Sequence, residues 1–169
     1  MLPDLALVPD DRRLEIEREF DAPRDLVWTM FADPYHLSRW WGPKGFTNPV
    51  VEMDFREGGH WHHVMRSPDG RDFPIDSIFV AIVPPERIAF RNAPAVGEAF
   101  GDNPPPSFLQ VLHFTELPGG RTRLTLEACF ETTENRDAVA RRGFREGTLE
   151  SYDKLAAHLL TLSFQVSGH

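Results

Sequence analysis

A chain of 169 residues, 41% hydrophobic, 26% charged and 11% aromatic, is long enough for one domain with a sizeable core. Its formal charge of −8 repels phosphate backbones, so no nucleic-acid partner is expected. No apolar run of about 18 residues offers a membrane span, and a single cysteine, Cys129, leaves no internal disulfide and fits a reducing cytoplasm.

Residues 1–10 read as a loose leader, without the basic start and apolar stretch of a secretion signal. From Arg12 to Phe20, Leu14, Ile16 and Phe20 alternate with Glu15, Glu17 and Glu19, the mark of a half-buried strand. Asp21-Ala22-Pro23 ends it. Leu26, Val27, Met30 and Phe31 then form a short helical stripe, and Asp33-Pro34 restarts the chain into a second short helix ending near Trp41. Strands follow at 46–57, 60–67, 71–83 and 87–91, separated by Gly58-Gly59, Pro68-Asp69-Gly70 and Pro84-Pro85-Glu86. Residues 92–107 are long for a loop inside a compact domain, and read either as a surface excursion or as a lid. Two more strands, 108–117 and 121–131, flank Pro118-Gly119-Gly120. A helical region opens at Thr133, and its main helix runs from about Gly143 to Leu162. Phe144, Thr148, Ser151, Leu155, Leu159 and Leu162 share one face of it, with Glu146, Glu150, Asp153 and Ala157 opposite. This order predicts a two-layer α+β domain: an antiparallel sheet of six to seven strands, two short helices after strand one, and a long C-terminal helix that must bury its stripe on the sheet.

Polar residues are weighed by the face they occupy. Alternation puts Cys129 with Thr125 and Glu127 on a polar face, as a half-exposed, unreactive thiol. Arg18 falls on the apolar side of strand one and needs a counter-charge such as Asp54, or an anionic ligand. Asp54 and Arg56 read as a surface ion pair. Asp76, on a strand where either face can be the apolar one, is a weak acid–base candidate, as are His63 and His113. His60 and His62 share a strand face, but no third ligand is apparent, so no metal is expected. Gly143 and Gly147 lie where helix propensity disfavours them, which points to close approach of backbone or ligand. Trp40 and Trp41 cannot both point inward from one helix, so one is expected to meet solvent, a cavity rim or a partner, a homodimer being one possibility. Nucleophile elbows, phosphate loops and dinucleotide fingerprints are absent, and no cofactor is expected.

The chain resembles the activator-of-Hsp90-ATPase-like (AHSA-type) members of the START/SRPBCC superfamily. The resemblance rests on Arg18-Glu19-Phe20-Asp21-Ala22-Pro23, Val27-Trp28, Trp40-Trp41-Gly42-Pro43, Asp54-Phe55-Arg56-Glu57-Gly58-Gly59, Pro68-Asp69-Gly70, Ile82-Val83-Pro84-Pro85-Glu86-Arg87, and Gly143 with Gly147. It covers residues ~18 to ~160 and implies the helix-grip (START-like) fold, a curved sheet around the last helix with a cavity between them. The functions it implies diverge: binding of lipids and apolar small molecules, polyketide aromatase or cyclase chemistry, self-sacrificing antibiotic resistance, and chaperone co-activation. Glu57 replaces a usual proline, Asp76-Ser77 a glycine-rich position, and Thr148 an aromatic residue.

The leading expectation is a protein that binds an apolar, aromatic or polyketide-like small molecule in that chamber. Trp28, Trp41, Met53, Trp61, Phe79 and Tyr152 are the expected lining, with Arg18, His63, Asp76 and His113 as polar candidates. A cyclase-like enzyme would need a titratable pair inside the chamber. A chaperone partner is implied by the resemblance alone.

Overall fold

The computed structural model describes residues 2–102 and 104–167, with side chains described through Leu162. Strand β1 spans Arg13–Phe20. Helix α1, Arg24–Ala32, follows Pro23, which supplies the extended entry at φ −67°. Helix α2, Pro34–Trp40, is capped by Asp33, whose carboxylate accepts from the Tyr35 N–H at 2.9 Å. Strands β2 (Thr47–Met53), β3 (His60–Arg66), β4 (Asp72–Val83) and β5 (Arg87–Asn92) form consecutive antiparallel pairs. Strands β6 (Leu109–Leu117) and β7 (Arg121–Cys129) complete the sheet. Helix α3, Thr133–Arg141, is capped by the Thr132 hydroxyl, and α4, Phe144–Ser167, closes the chain.

The strand order is β1-β7-β6-β5-β4-β3-β2. Strands β1 and β2 therefore hold opposite edges, and the chain must cross the whole sheet between them. Helices α1 and α2 are that crossing, so they lie over one face beside α4. A register shift between Phe79 and Ala81 breaks the β4–β5 ladder, and such bulges bend a strand and sharpen its twist. In the β2–β3 link, Gly59 has no substitute: a Cβ there would collide with the Asp54 carbonyl oxygen. Glu57, which replaces the usual proline, accepts from the Ile82 N–H at 3.2 Å and ties this link to β4.

The covered face holds the main core. Ile16, Phe20, Leu124 and Leu126 from the sheet meet Val27 and Met30 of α1, Leu37 and Trp40 of α2, and Leu155 and Leu159 of α4. The predicted stripes on β1, α1 and α4 are the ones buried. The opposite face carries a second cluster that overturns two expectations. Ala81, Ala89, Leu109, Val111 and Cys129 pack under Leu2, Leu5 and Val8. Residues 2–10 are thus a docked segment that holds the 3-10 turn Leu5–Leu7 and leads into a second at Asp10–Arg12, not a loose leader. Cys129 is buried beneath it, and burial pushes its thiol pKa up.

Of the alternatives for Trp40 and Trp41, the structure takes the cavity rim, with Trp41 there. Helix α2 ends at Trp40, and Trp41 is extended at φ −61°, ψ 141°. The change of backbone direction lets both rings turn inward: Trp40 is fully buried, and Trp41 packs edge-on against Trp61 at 5.0 Å. The proposed ground for a homodimer, an outward tryptophan, is gone.

Candidate functional site

A cavity of about 380 Å³ lies between the inner face of the sheet and the first half of α4. Its floor is β3–β6, where alternation turns His63, Phe73, Ile75, Ser77, Phe90 and Leu112 inward. One wall is the link after α2: Trp41, Gly42, Pro43 and Phe46. The facing wall is α4, with Phe144, Thr148 and Ser151 on the predicted face, three or four residues apart as a helix requires, and Tyr152 flanking it. Gly143 and Gly147 also line it. Gly143 adopts φ +87° just before α4, and a Cβ on Gly147 would meet Pro43 at 3.4 Å. Bare backbone at Gly147 keeps α4 close to the Trp41–Phe46 wall, while Gly143 serves the left-handed turn that enters the helix.

Residues 93–102 and 104–108 close the last side through Ala95, Phe100, Pro105 and Phe108. Asn92 ties the two ends of this segment together. Its amide donates to the Ala93 and Pro106 carbonyls, its Oδ1 accepts from the Phe108 N–H at 3.0 Å, and its own carbonyl accepts from the Ser107 hydroxyl. Phe100 packs edge-on against Phe73 at 5.3 Å.

The polar groups of the wall are neutral with one exception, Arg142 at the α3–α4 turn. His63 is buried with neither ring nitrogen hydrogen-bonded. It stacks on Trp61 at 4.7 Å and meets the Trp41 edge at 5.8 Å. Burial first, then the neighbouring His62, lowers its pKa to about 3 against the opposing pull of Asp76, so its ring is uncharged at neutral pH. Burial pushes the Tyr152 phenol well above its ordinary range, which keeps it a neutral donor. Ser77 and Ser151 add buried hydroxyls.

Three of the predicted residues, Trp41, His63 and Tyr152, meet at this cavity. Met53, Trp61 and Phe79 face the same way but surround a separate void of about 10 Å³, which is no more than one water would need. They sit further along the sheet, where α1 and α2 close down on it. Trp28 packs between Phe55 and Phe114, at 5.9 and 5.2 Å. Arg18 does not pair with Asp54. It reaches Asp153 on α4 at 2.6 Å, while Asp54 pairs with Arg56 at 2.7 Å. This Arg18 pair is partly exposed. Arg18→Ala should therefore cost less than about 1 kcal/mol in urea denaturation.

Asp76 and His113 are also outside the chamber. Asp76 lies on the opposite face of β4 and holds the His62 Nδ1 at 2.7 Å. His113 faces Glu127 at 3.8 Å on the same outer side. No group of three or more His, Cys, Asp or Glu among the described residues is placed to hold a metal ion. The inward run Phe73-Ile75-Ser77 was legible as an alternation, but which register faced inward was not. Phe46, Phe100 and Arg142 join the wall from loops and a turn and carry no periodic signal of their own, while Gln110 shares the inward register of Leu112 on β6.

A seven-stranded antiparallel sheet closed by a long C-terminal helix over a cavity defines the helix-grip class. Residues 21–160 match the family model described as Activator of Hsp90 ATPase homolog 1-like protein, and the chain belongs to that family. Solved structures agree. A protein from Nitrosomonas europaea is similar at 26% identity and TM-score 0.81, over 92% of this chain and 99% of that one. One from Arthrobacter aurescens is 28% identical with TM-score 0.80, over 90% and 88%. One from Mycobacterium smegmatis is 32% identical with TM-score 0.78, over 91% and 94%. No curated protein matches the chain. No helix among the described residues is long and apolar enough to cross a membrane.

Proposed function

We propose that this protein binds an apolar, aromatic small molecule in the chamber between the sheet and α4. The observation that carries this reading is the cavity itself: about 380 Å³, within the range of roughly 300–1,000 Å³ typical of small-molecule sites. Rings from four parts of the fold line it, namely Trp41, Phe73, Phe90 and Phe144. Flat apolar ligands gain from such walls through area burial and edge-on ring contacts. The neutral hydroxyls of Tyr152, Ser77 and Ser151 suit ligand oxygens, which would otherwise lose their hydrogen bonds to water.

An acid–base enzyme of the cyclase sort has weaker support. It needs two titratable groups in reach of one substrate, and Asp76 and His113 lie across the sheet from His63. A chaperone partner rests on the family description alone.

The test is a fluorescence titration with the neutral dye N-phenyl-1-naphthylamine, beside native mass spectrometry of freshly purified protein. Binding should be saturable in the wild type and lost in Thr148→Trp, which fills the chamber from α4. Ser151→Leu, a smaller intrusion from the same wall, should weaken it severalfold and guards against a misfolded tryptophan variant. An unsaturable dye signal, or one unchanged in both variants, would sink the reading.

A further inference from the structure

The chamber wall has a polarity. Its deep groups, Tyr152, Ser77 and Gln110, are neutral, and its one formally charged residue, Arg142, stands at the α3–α4 turn and is exposed. Arg142 enters no salt bridge among the described residues, unlike Arg136 nearby, which is held by Asp137 at 2.9 Å. Arg141 and Arg145 flank it, giving three arginines in five residues on a chain whose formal charge is −8. The nearest acid in sequence is Glu146, itself exposed and across Gly143. Of the three only Arg142 borders the chamber, since Arg145 donates to the Glu15 carbonyl at 3.1 Å, and a guanidinium without a counter-charge at the mouth of a low-dielectric cleft gathers anions there.

Resting on the cavity reading above, the geometry points to an aromatic anion as the occupant: a flat apolar body inside, and one carboxylate or sulfonate at the rim beside Arg142. The orientation follows from cost. An ionised group deep in the chamber would face neutral hydroxyls, the Gln110 and Asn92 amides and the uncharged His63 ring, and a buried charge without a counter-charge is strongly unfavourable. At the turn the same group keeps part of its water and gains a guanidinium that can bind a carboxylate or sulfonate with two parallel hydrogen bonds.

The experiment compares two dyes with one ring system, N-phenyl-1-naphthylamine and its sulfonate 8-anilinonaphthalene-1-sulfonate, titrated into the full chain. In Arg142→Gln the sulfonate should bind about fivefold more weakly while the neutral dye stays within about twofold. Arg142→Lys should recover part of the loss, and added salt should narrow the gap in the wild type but not in Arg142→Gln. Thr148→Trp should remove both signals. The proposal is overturned if Arg142→Gln leaves sulfonate binding unchanged, if it weakens both dyes equally, or if the sulfonate still binds Thr148→Trp. Saturable binding of the neutral dye with none of the sulfonate sinks the anion and leaves the cavity reading standing. Failure of both dyes sinks both.

Discussion

Replacing His63 with phenylalanine should stabilise the protein at pH 7 by about 1 kcal/mol and flatten its response to acid. Two buried ring nitrogens have no partner in the wild type, and an apolar ring of similar shape removes both unmet groups while keeping the stack on Trp61. The acid effect is larger. The folded pKa is depressed to about 3 from an ordinary 6.5. Between those values the unfolded chain carries one more proton than the folded one, so stability is lost as pH falls through that window. Each unit is worth about 1.4 kcal/mol, so the difference between wild type and His63→Phe should grow by roughly 3 kcal/mol from pH 6.5 to pH 4. His113 and His158 are lowered by burial too and act in the same direction. They remain in both proteins, and the subtraction isolates His63. Urea denaturation at several pH values gives the two curves. Parallel curves would show that the imidazole reaches water or a partner in the folded state.

The residues that sequence placed well are those whose surroundings follow from their own strand or helix. Leu14, Ile16 and Phe20 alternate, and so do Val51, Met53 and Phe55; in both sets the apolar face is the one turned to the helices. The misplacements all involve a neighbour distant in the chain. Cys129 does lie opposite the main core, but Leu2, Leu5 and Val8 cover that side, and three aliphatic residues spread around one 3-10 turn make no periodic pattern. The counter-charge of Arg18 is 135 positions away on α4. For the site, alternation gives the face and not the position along the strand. Phe79 and Ser77 both point inward from β4, yet one borders the small void and the other the 380 Å³ cavity. What separates them is where α1 and α2 come down on the sheet, a tertiary fact.

Lys154→Met should cost about 2–3 kcal/mol, the scale of losing charge-assisted hydrogen bonds, and lower the midpoint of thermal unfolding by about 5–10 °C. The Lys154 ammonium donates to four backbone carbonyls, those of Trp41, Gly42, Pro43 and Phe46, at 3.1–3.3 Å. Those carbonyls belong to one link that also walls the cavity. The link has turned past the end of α2 and has not yet joined β2, so an ammonium from α4 gathers these carbonyls, beside the Asn48 amide on Trp41 and the Phe46 N–H on Pro43. Burial lowers the Lys154 pKa, with Glu150 opposing, yet an ammonium so lodged keeps its proton at neutral pH. Methionine retains the apolar stem, and the Trp41 and Pro43 carbonyls keep the Asn48 amide and the Phe46 N–H, but those of Gly42 and Phe46 are left to water, which can enter only if the link shifts away from α4. The same substitution should therefore weaken N-phenyl-1-naphthylamine binding severalfold although Lys154 is not in the cavity wall. Lys154→Ala should be no worse than Lys154→Met in stability if the charge is what holds the link. A methionine variant that unfolds with the wild type would mean that Trp41 and Pro43 are held by their side-chain packing alone, and the wall of the site would not depend on α4 for its shape.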